Sequence, residues 1–264
     1  MKLILCCDYG LDDAAATFDV LSHAEEDGWD GIFIVAVGGN VPSEVSLQNA
    51  KKLVANLFPQ SRVTIVDTTA YEQPSEYLKT IHGDDGMGDL FEDKPFKGRV
   101  ITFDQFLSSL AGEYALLSLG PMTLVPAILQ RGQCKQFVFM GGNIKEEPNF
   151  HGYEFNHALE RAAFSRAVTY PHVAITMDTC RNPRLNIQEA QILGESWAHK
   201  IADRARSLTF TSGEKGCYIW DDIAVKYLRH PNWFSLYTAR DRDGNLLTVA
   251  RYENPKTYLE IIEA

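Results

Sequence analysis

The chain has 264 residues, 45% hydrophobic and 23% charged, with 35 acidic residues against 25 basic ones and a net charge of −10. That length permits one large domain with a substantial core. The acidic balance argues against a sequence-independent grip on nucleic-acid phosphates, which needs clustered Lys and Arg, and no apolar run approaches the ~20 residues that span a bilayer; neither nucleic acid nor membrane is expected as a partner, and a small neutral ligand remains open.

The elements follow in chain order. Leu3–Cys7 reads as a strand and Asp12–Glu25 as an Ala-rich helix. Gly31–Val37 is a second strand ending in Gly38-Gly39-Asn40, followed by a helix over Ser43–Leu57 and a strand over Arg62–Val66. Residues 67–100 are turn-rich and lack periodicity. Tyr114–Leu119 is a strand running into Gly120-Pro121, with a helix over Thr123–Gln130. Gln136–Met140 is a strand ending at Gly141-Gly142, and a polar loop spans Asn143–Tyr153. A helix within Leu159–Val168 and a strand over Val173–Met177 complete this part. After residue 185 the pattern is mostly helical, with a hairpin over Arg240–Arg251 around Asp243-Gly244-Asn245.

Alternation of strand and helix predicts an α/β fold: a single domain over 1–264 with a mostly parallel, doubly wound central sheet flanked by helices, and a helical C-terminal third. Chemistry in such sheets sits outside the carboxyl ends of the strands, which here carry Asp8, Asn40, Thr123 and the loop reaching Asn156. Cys6, Cys7, Cys134, Cys180 and Cys217 are odd in number and lack CxxC spacing, so they read as reduced, mostly buried thiols of a cytoplasmic protein. The N-terminus has one Lys and then five residues before the first acid, too short for a signal peptide.

The densest chemistry is Asp8-Tyr9-Gly10-Leu11-Asp12-Asp13. One Asp at a helix start is an ordinary cap. Three carboxylates within six residues repel one another, so a cation is expected between them; hard oxygen ligands select calcium or magnesium. Taken singly, the Gly pairs read as tight turns, His82 divides evenly between a loop histidine and a ligand contact, and Trp220 reads as core packing.

Taken together, the motifs resemble a known family. Asp8-Tyr-Gly-Leu-Asp12-Asp13 is similar to the N-terminal Asp-x-Gly-x-Asp-Asp fingerprint of the nucleoside hydrolases, the inosine–uridine-preferring N-ribohydrolase family. Val37-Gly-Gly-Asn40-Val, Ser118-Leu-Gly120-Pro-Met-Thr123, Met140-Gly-Gly with Glu154-Phe155-Asn156, and Trp220-Asp221-Asp222-Ile-Ala-Val resemble its later motifs, in order. The resemblance implies hydrolysis of an N-glycosidic bond to ribose and free base, a Ca²⁺ ion, and a homodimer or homotetramer. It implies that Asp8, Asp13 and Asp221 ligate the metal through side chains and Thr123 through its backbone carbonyl. Asp8 would also take a proton from the attacking water. Asp12, Asn40, Asn149, Glu154 and Asn156 would hold the ribose, and His82, Trp220 and Tyr218 the base.

Three positions depart from the pattern. Cys6 replaces a family Asp, Tyr9 stands where the family commonly has Pro, and Trp220 stands where inosine–uridine-preferring members carry a His that can protonate the departing base. Trp has no acidic proton to give at neutral pH; at this place it resembles the purine-specific branch, in which aromatic rings sandwich the base. A purine or modified purine is therefore expected. The rival expectations are a hydrolase of another N-riboside, such as nicotinamide riboside or a pyrimidine nucleoside, and a non-catalytic sensor of calcium and ribose.

Overall fold

The computed structural model describes residues 1–188, 194–214 and 216–264. Residues 189–193 and 215, part of the stretch expected to be mostly helical, lie outside the described residues. One nine-stranded sheet organises the rest: β1 (Lys2–Cys7), β2 (Gly31–Ala36), β3 (Val63–Asp67), β4 (Arg99–Thr102), β5 (Glu113–Ser118), β6 (Gln133–Met140), β7 (Val173–Ile175), β8 (Phe234–Arg240) and β9 (Leu246–Tyr252), in the order β4-β3-β2-β1-β5-β6-β7-β9-β8. Neighbours pair in parallel except β8 and β9, which form an antiparallel hairpin.

The eleven helices are α1 (Leu11–Ser22), α2 (Ser43–Leu57), α3 (Lys79–His82), α4 (Phe103–Ser109), α5 (Val125–Leu129), α6 (Phe155–Leu159), α7 (Arg161–Ala167), α8 (Met177–Cys180), α9 (Trp197–Thr211), α10 (Trp220–Arg229) and α11 (Tyr258–Ile261), counted among the described residues. No helix among the described residues is long and apolar enough to cross a membrane. Side chains of a strand alternate between faces, and β1 shows the consequence. Leu3, Leu5 and Cys7 join one apolar layer with α1, α2, α9 and α10; Ile4 and Cys6 join the other with α4, α5 and α7. Burial on both faces explains the unbroken apolar runs of the central strands.

Chain order fixes where the site lies. From β1 the chain winds outward through β2, β3 and β4, then returns to the other side of β1 with β5. A crevice opens at such a reversal, beyond the carboxyl ends of the strands. Asp8 is the first residue past β1, between β2 and β5.

Several boundaries differ from the sequence pattern. β4 and α4 arise where composition shows few regular signals. In β4 only Ile101 is buried, so there is little alternation to read. The hairpin is longer than Arg240–Arg251, begins at Phe234, and joins the central sheet through Ala174 opposite Val249. The helix expected within Leu159–Val168 is two short helices broken at Glu160, whose φ is −142°. Tyr9 has φ +50°, a left-handed conformation outside proline's reach, since the pyrrolidine ring holds φ near −65°.

A buried ionic cluster locks α10 against α1. Lys226 is fully buried, with its Nζ 3.0 Å from Asp19 of α1. Arg229 reaches Asp19 at 3.3 Å and Asp27 at 3.1 Å. The Tyr258 hydroxyl donates to Asp222 at 2.8 Å. With the helices clamped along their length, the N-terminal turns carrying Asp12, Asp13 and Asp221 meet at one rim. Removing one member of a buried ion pair leaves its partner's charge uncompensated, at about 3–5 kcal/mol. Asp19 keeps Arg229 after Lys226→Met, so that substitution should lower unfolding stability in urea titration by part of that amount, about 1.5–3 kcal/mol; a loss under about 1 kcal/mol would mean apolar packing alone holds the two helices.

Candidate active site

The site starts from the turn after β1. Asp8 is fully buried, and Asn40, at the end of the turn after β2, grips it twice: the Asn40 backbone N–H donates to Oδ2 at 2.7 Å and the side-chain amide to Oδ1 at 3.1 Å. This approach requires glycine at position 39, because a Cβ there would overlap the Asp8 carboxylate. Gly10 is constrained in the same way, since a Cβ would lie 2.6 Å from the Asn40 amide and 2.7 Å from the His82 ring.

Helix α1 begins one residue later. Asp13 accepts the backbone N–H of Gly10 at 2.8 Å and that of Asp8 at 3.1 Å, so it caps the helix and stiffens the turn together. Oxygens of Asp12, Asp13 and Asp221 lie within 4.8 Å of one another. Asp221 arrives in the first turn of α10, where negative charge suits the helix dipole.

Electrostatics make this cluster unstable by itself. Burial holds the Asp8 carboxyl well above its ordinary range, and the charge of Asp13 adds to that. Burial also raises Asp221, with the charges of Asp12, Asp13 and Asp8 behind it. Asp12 is raised by burial and partly relieved by His82. Asp13 is pushed up to about 6, by burial and then by Asp12. Asp12 Oδ1 is buried with no hydrogen-bond partner among the described residues. An all-oxygen donor set, crowded and with an orphaned acceptor, fits a hard divalent cation.

Above the carboxylates lies a cavity of about 480 Å³. Asp12, Asn40, His82, Asn149, Glu154, Asn156, Tyr218, Trp220 and Asp221 all line it. The sequence-predicted ribose and base residues are thus brought to one wall or another of the same space. Asp8, Asp13 and Thr123 do not line it. Thr123 is half-buried in the turn before α5, and its Oγ1 has no partner among the described residues.

Each wall has its own cause. Glu154 is the N-cap of α6, and its carboxylate accepts backbone N–H groups from Gly142 at 2.8 Å, Asn156 at 2.9 Å and His157 at 3.0 Å. The Asn156 amide donates to the carbonyls of Leu119 at 2.6 Å and Met140 at 3.3 Å, which ties α6 to the ends of β5 and β6. Both residues are buried, not surface groups. Asn149 is exposed at the mouth. His82 accepts the Leu11 backbone N–H through Nδ1 at 3.2 Å, which leaves Nε2 to carry the ring proton; burial lowers its pKa, and Asp12 pulls it the other way.

Tyr218 and Trp220 stand edge to face, with centroids 5.8 Å apart. Sequence reasoning missed two polar neighbours. Asn186 donates to the Tyr218 hydroxyl at 3.2 Å, and Arg181 lies over Trp220 with Cζ 5.8 Å from the ring centroid. Neither carries a spacing signal. Cys6 faces the apolar layer beneath the sheet, where burial pushes its thiol up to about 12; it adds no charge to the site.

This fold and acidic crevice can be set beside known proteins. A model of the family described as "Inosine-uridine preferring nucleoside hydrolase" matches residues 3–257. Among curated proteins no sequence matched. Among solved structures, a purine-preferring ribonucleoside hydrolase from Gardnerella vaginalis superposes with a TM-score of 0.71 at 21% identity, over 99% of this chain and 95% of that one. An inosine-guanosine nucleoside hydrolase gives 0.71 at 18% identity, over 99% and 96%. An inosine-uridine preferring nucleoside hydrolase from Bacillus anthracis gives 0.69 at 16% identity, over 100% and 98%. The chain belongs to the inosine–uridine-preferring nucleoside hydrolase family and is an enzyme that hydrolyses the N-ribosyl bond of nucleosides.

The Asp13 shift has a signed consequence for stability. A carboxyl raised on folding from 3.8 to about 6 binds its proton more tightly in the folded state. Its stabilising contribution is complete below the unfolded value and is lost as pH rises through about 6. In chelator, the melting temperature should therefore fall between pH 5 and pH 7.5, and Asp13→Asn should flatten that fall. A midpoint that rises over this range in wild-type protein contradicts the uncompensated cluster.

Proposed function

We propose that this enzyme is a calcium-dependent ribonucleoside hydrolase with a preference for purine or modified-purine bases, working in nucleoside salvage. The whole chain acts as one domain, in the cytoplasm, as a homodimer or homotetramer. The observation that carries the reading is the set of buried, mutually repelling carboxylates at the floor of a cavity walled on one side by Trp220 and Tyr218.

Asp8, Asp13 and Asp221 would hold the ion through their carboxylates and Thr123 through its backbone carbonyl. Bound calcium supplies positive charge to the cluster and lowers the pKa of a water molecule. Asp8 takes the proton of the attacking water, and its two bonds from Asn40 hold the carboxylate in one orientation while it does so. Asp12, Asn40, Asn149, Glu154 and Asn156 hold the ribose hydroxyls, which fixes C1′ and removes translational freedom. The surrounding carboxylates favour the positive charge that develops on the ribosyl ring as the C1′–N bond lengthens.

Base preference rests on Trp220. With no imidazole at that place, the enzyme depends on orienting the base and stabilising it as it leaves. A purine offers Trp220 and Tyr218 more area than a pyrimidine, and its imidazole ring spreads the departing electron pair and takes up a proton from solvent. His82 presents Nε2–H as a further donor from the opposite segment. Two structural neighbours, the purine-preferring ribonucleoside hydrolase and the inosine-guanosine nucleoside hydrolase, agree with this choice.

Two experiments test it. Chelation should abolish ribose release and calcium restore it, while Asp8→Ala or Asp221→Ala should lower turnover by several orders of magnitude with the circular dichroism spectrum unchanged; full activity in chelator removes the metal from the mechanism. Trp220→Ala should reduce kcat/KM for purine nucleosides at least tenfold more than for uridine, at roughly the 1–3 kcal/mol expected of one stacked base. Equal losses on both would assign Trp220 to packing.

A further inference from the structure

We infer that Arg181 is a specificity-determining residue that selects 6-oxopurine bases over 6-aminopurines. The inference rests on the reading above, in which the base lies beside Trp220.

Arg181 caps the C-terminus of α8 and lines the cavity with a side chain 32% exposed. It is the one Lys or Arg among the described residues lining that space, in a wall set that also includes Asp12, Glu154, Glu214 and Asp221. Its place is fixed from two sides. The guanidinium lies over the Trp220 ring, and Nη1 donates to Glu146 Oε2 at 3.2 Å and to the Glu147 carbonyl at 3.4 Å. Glu146 is itself held, because Asp178 of α8 accepts the backbone N–H groups of Ile144 at 2.7 Å, Lys145 at 2.8 Å and Glu146 at 3.3 Å. Only Nη1 is consumed by these bonds. Nε and Nη2 have no hydrogen-bond partner among the described residues.

A guanidinium is a rigid fork of donors. Two of its N–H groups match the O6 and N7 acceptors of a 6-oxopurine, a bidentate pair that discriminates between bases by about 1–3 kcal/mol. Adenine presents the N6 amino group where O6 would be, so a donor faces a donor and one N–H is left unpaired. The same pair matters in the reaction. Water oxygen bonds to C1′ and its proton passes to Asp8. The electron pair of the broken C1′–N9 bond passes into the purine, which takes its proton from solvent. In a 6-oxopurine that pair spreads onto N7 and O6, where the fork meets it. A chain without a histidine acid beside Asp221 has particular use for such a group.

The test compares kcat/KM for inosine, guanosine and adenosine, together with calorimetric binding of free hypoxanthine and adenine, in wild-type enzyme and in Arg181→Ala and Arg181→Lys. Wild-type enzyme should favour inosine and guanosine over adenosine by roughly 10- to 100-fold. Arg181→Ala should shrink that ratio about tenfold or more, mainly through inosine and guanosine. Arg181→Lys, which keeps the charge and loses the fork, should shrink it nearly as far. Hypoxanthine should bind more tightly than adenine, and that difference should shrink in both variants. A wild-type preference for adenosine, an unchanged ratio in both variants, or equal loss on all three nucleosides (a loop-pinning role through Glu146) overturns the inference while leaving the hydrolase reading intact. Release of no ribose from any purine nucleoside, with hypoxanthine still bound through Arg181, overturns the purine preference proposed above and leaves the recognition standing.

Discussion

Like charges in a dry place set the terms for this molecule. Asp8, Asp12, Asp13 and Asp221 come from the end of one strand and the first turns of two helices, and burial denies them the water that would screen them. Nothing in apolar packing favours such a gathering. It persists because neighbouring groups are committed to it: the Asn40 amide and the backbone N–H groups of Gly10 and Asp8 take up carboxylate lone pairs, and the Lys226–Asp19 contact pins the far ends of the two helices. The clamp and the cluster lie on the same helix pair. Favourable opposite charges at one end therefore offset unfavourable like charges at the other.

The central fold was largely legible. β1, β2, β5 and β6 lie in a sheet covered on both sides, so their cores are continuous apolar runs, bounded by Gly-containing turns. The edges were not legible. β4 and β8 are half-exposed, and an exposed strand carries neither a run nor a clean alternation. Asp8, Asp12 and Asp13 stood out because three carboxylates in six residues exceed what helix capping requires; Asn40, Glu154, Asn156 and Asp221 were reached through the family resemblance, and the structure brings these four to one cavity. Arg181, Asn186 and the ionic clamp left no local trace. Their roles depend on partners far away in sequence, such as Trp220, Tyr218 and Asp19, which no periodicity connects.

The cavity also divides by chemistry. Its floor is anionic and suits a sugar and a cation, and its far wall carries rings and a guanidinium that suit a flat heterocycle. The two regions are built on different supports. The floor belongs to the strand ends and to α1 and α10. Arg181 and the Glu146 loop hang together on α8 through Asp178 and Glu146. A change in α8 and its loop can thus alter the far wall without disturbing the carboxylates of the floor.

Tyr9 limits how far such parts can be exchanged. Its left-handed backbone, φ +50°, directs the chain from Asp8 into Gly10. A prolyl ring at this position would have to swing that torsion through more than a right angle. A chimera built by swapping the fingerprint segment alone would inherit matching letters and a mismatched path, so the unit of transplantation is the turn together with the glycine and asparagine that receive it.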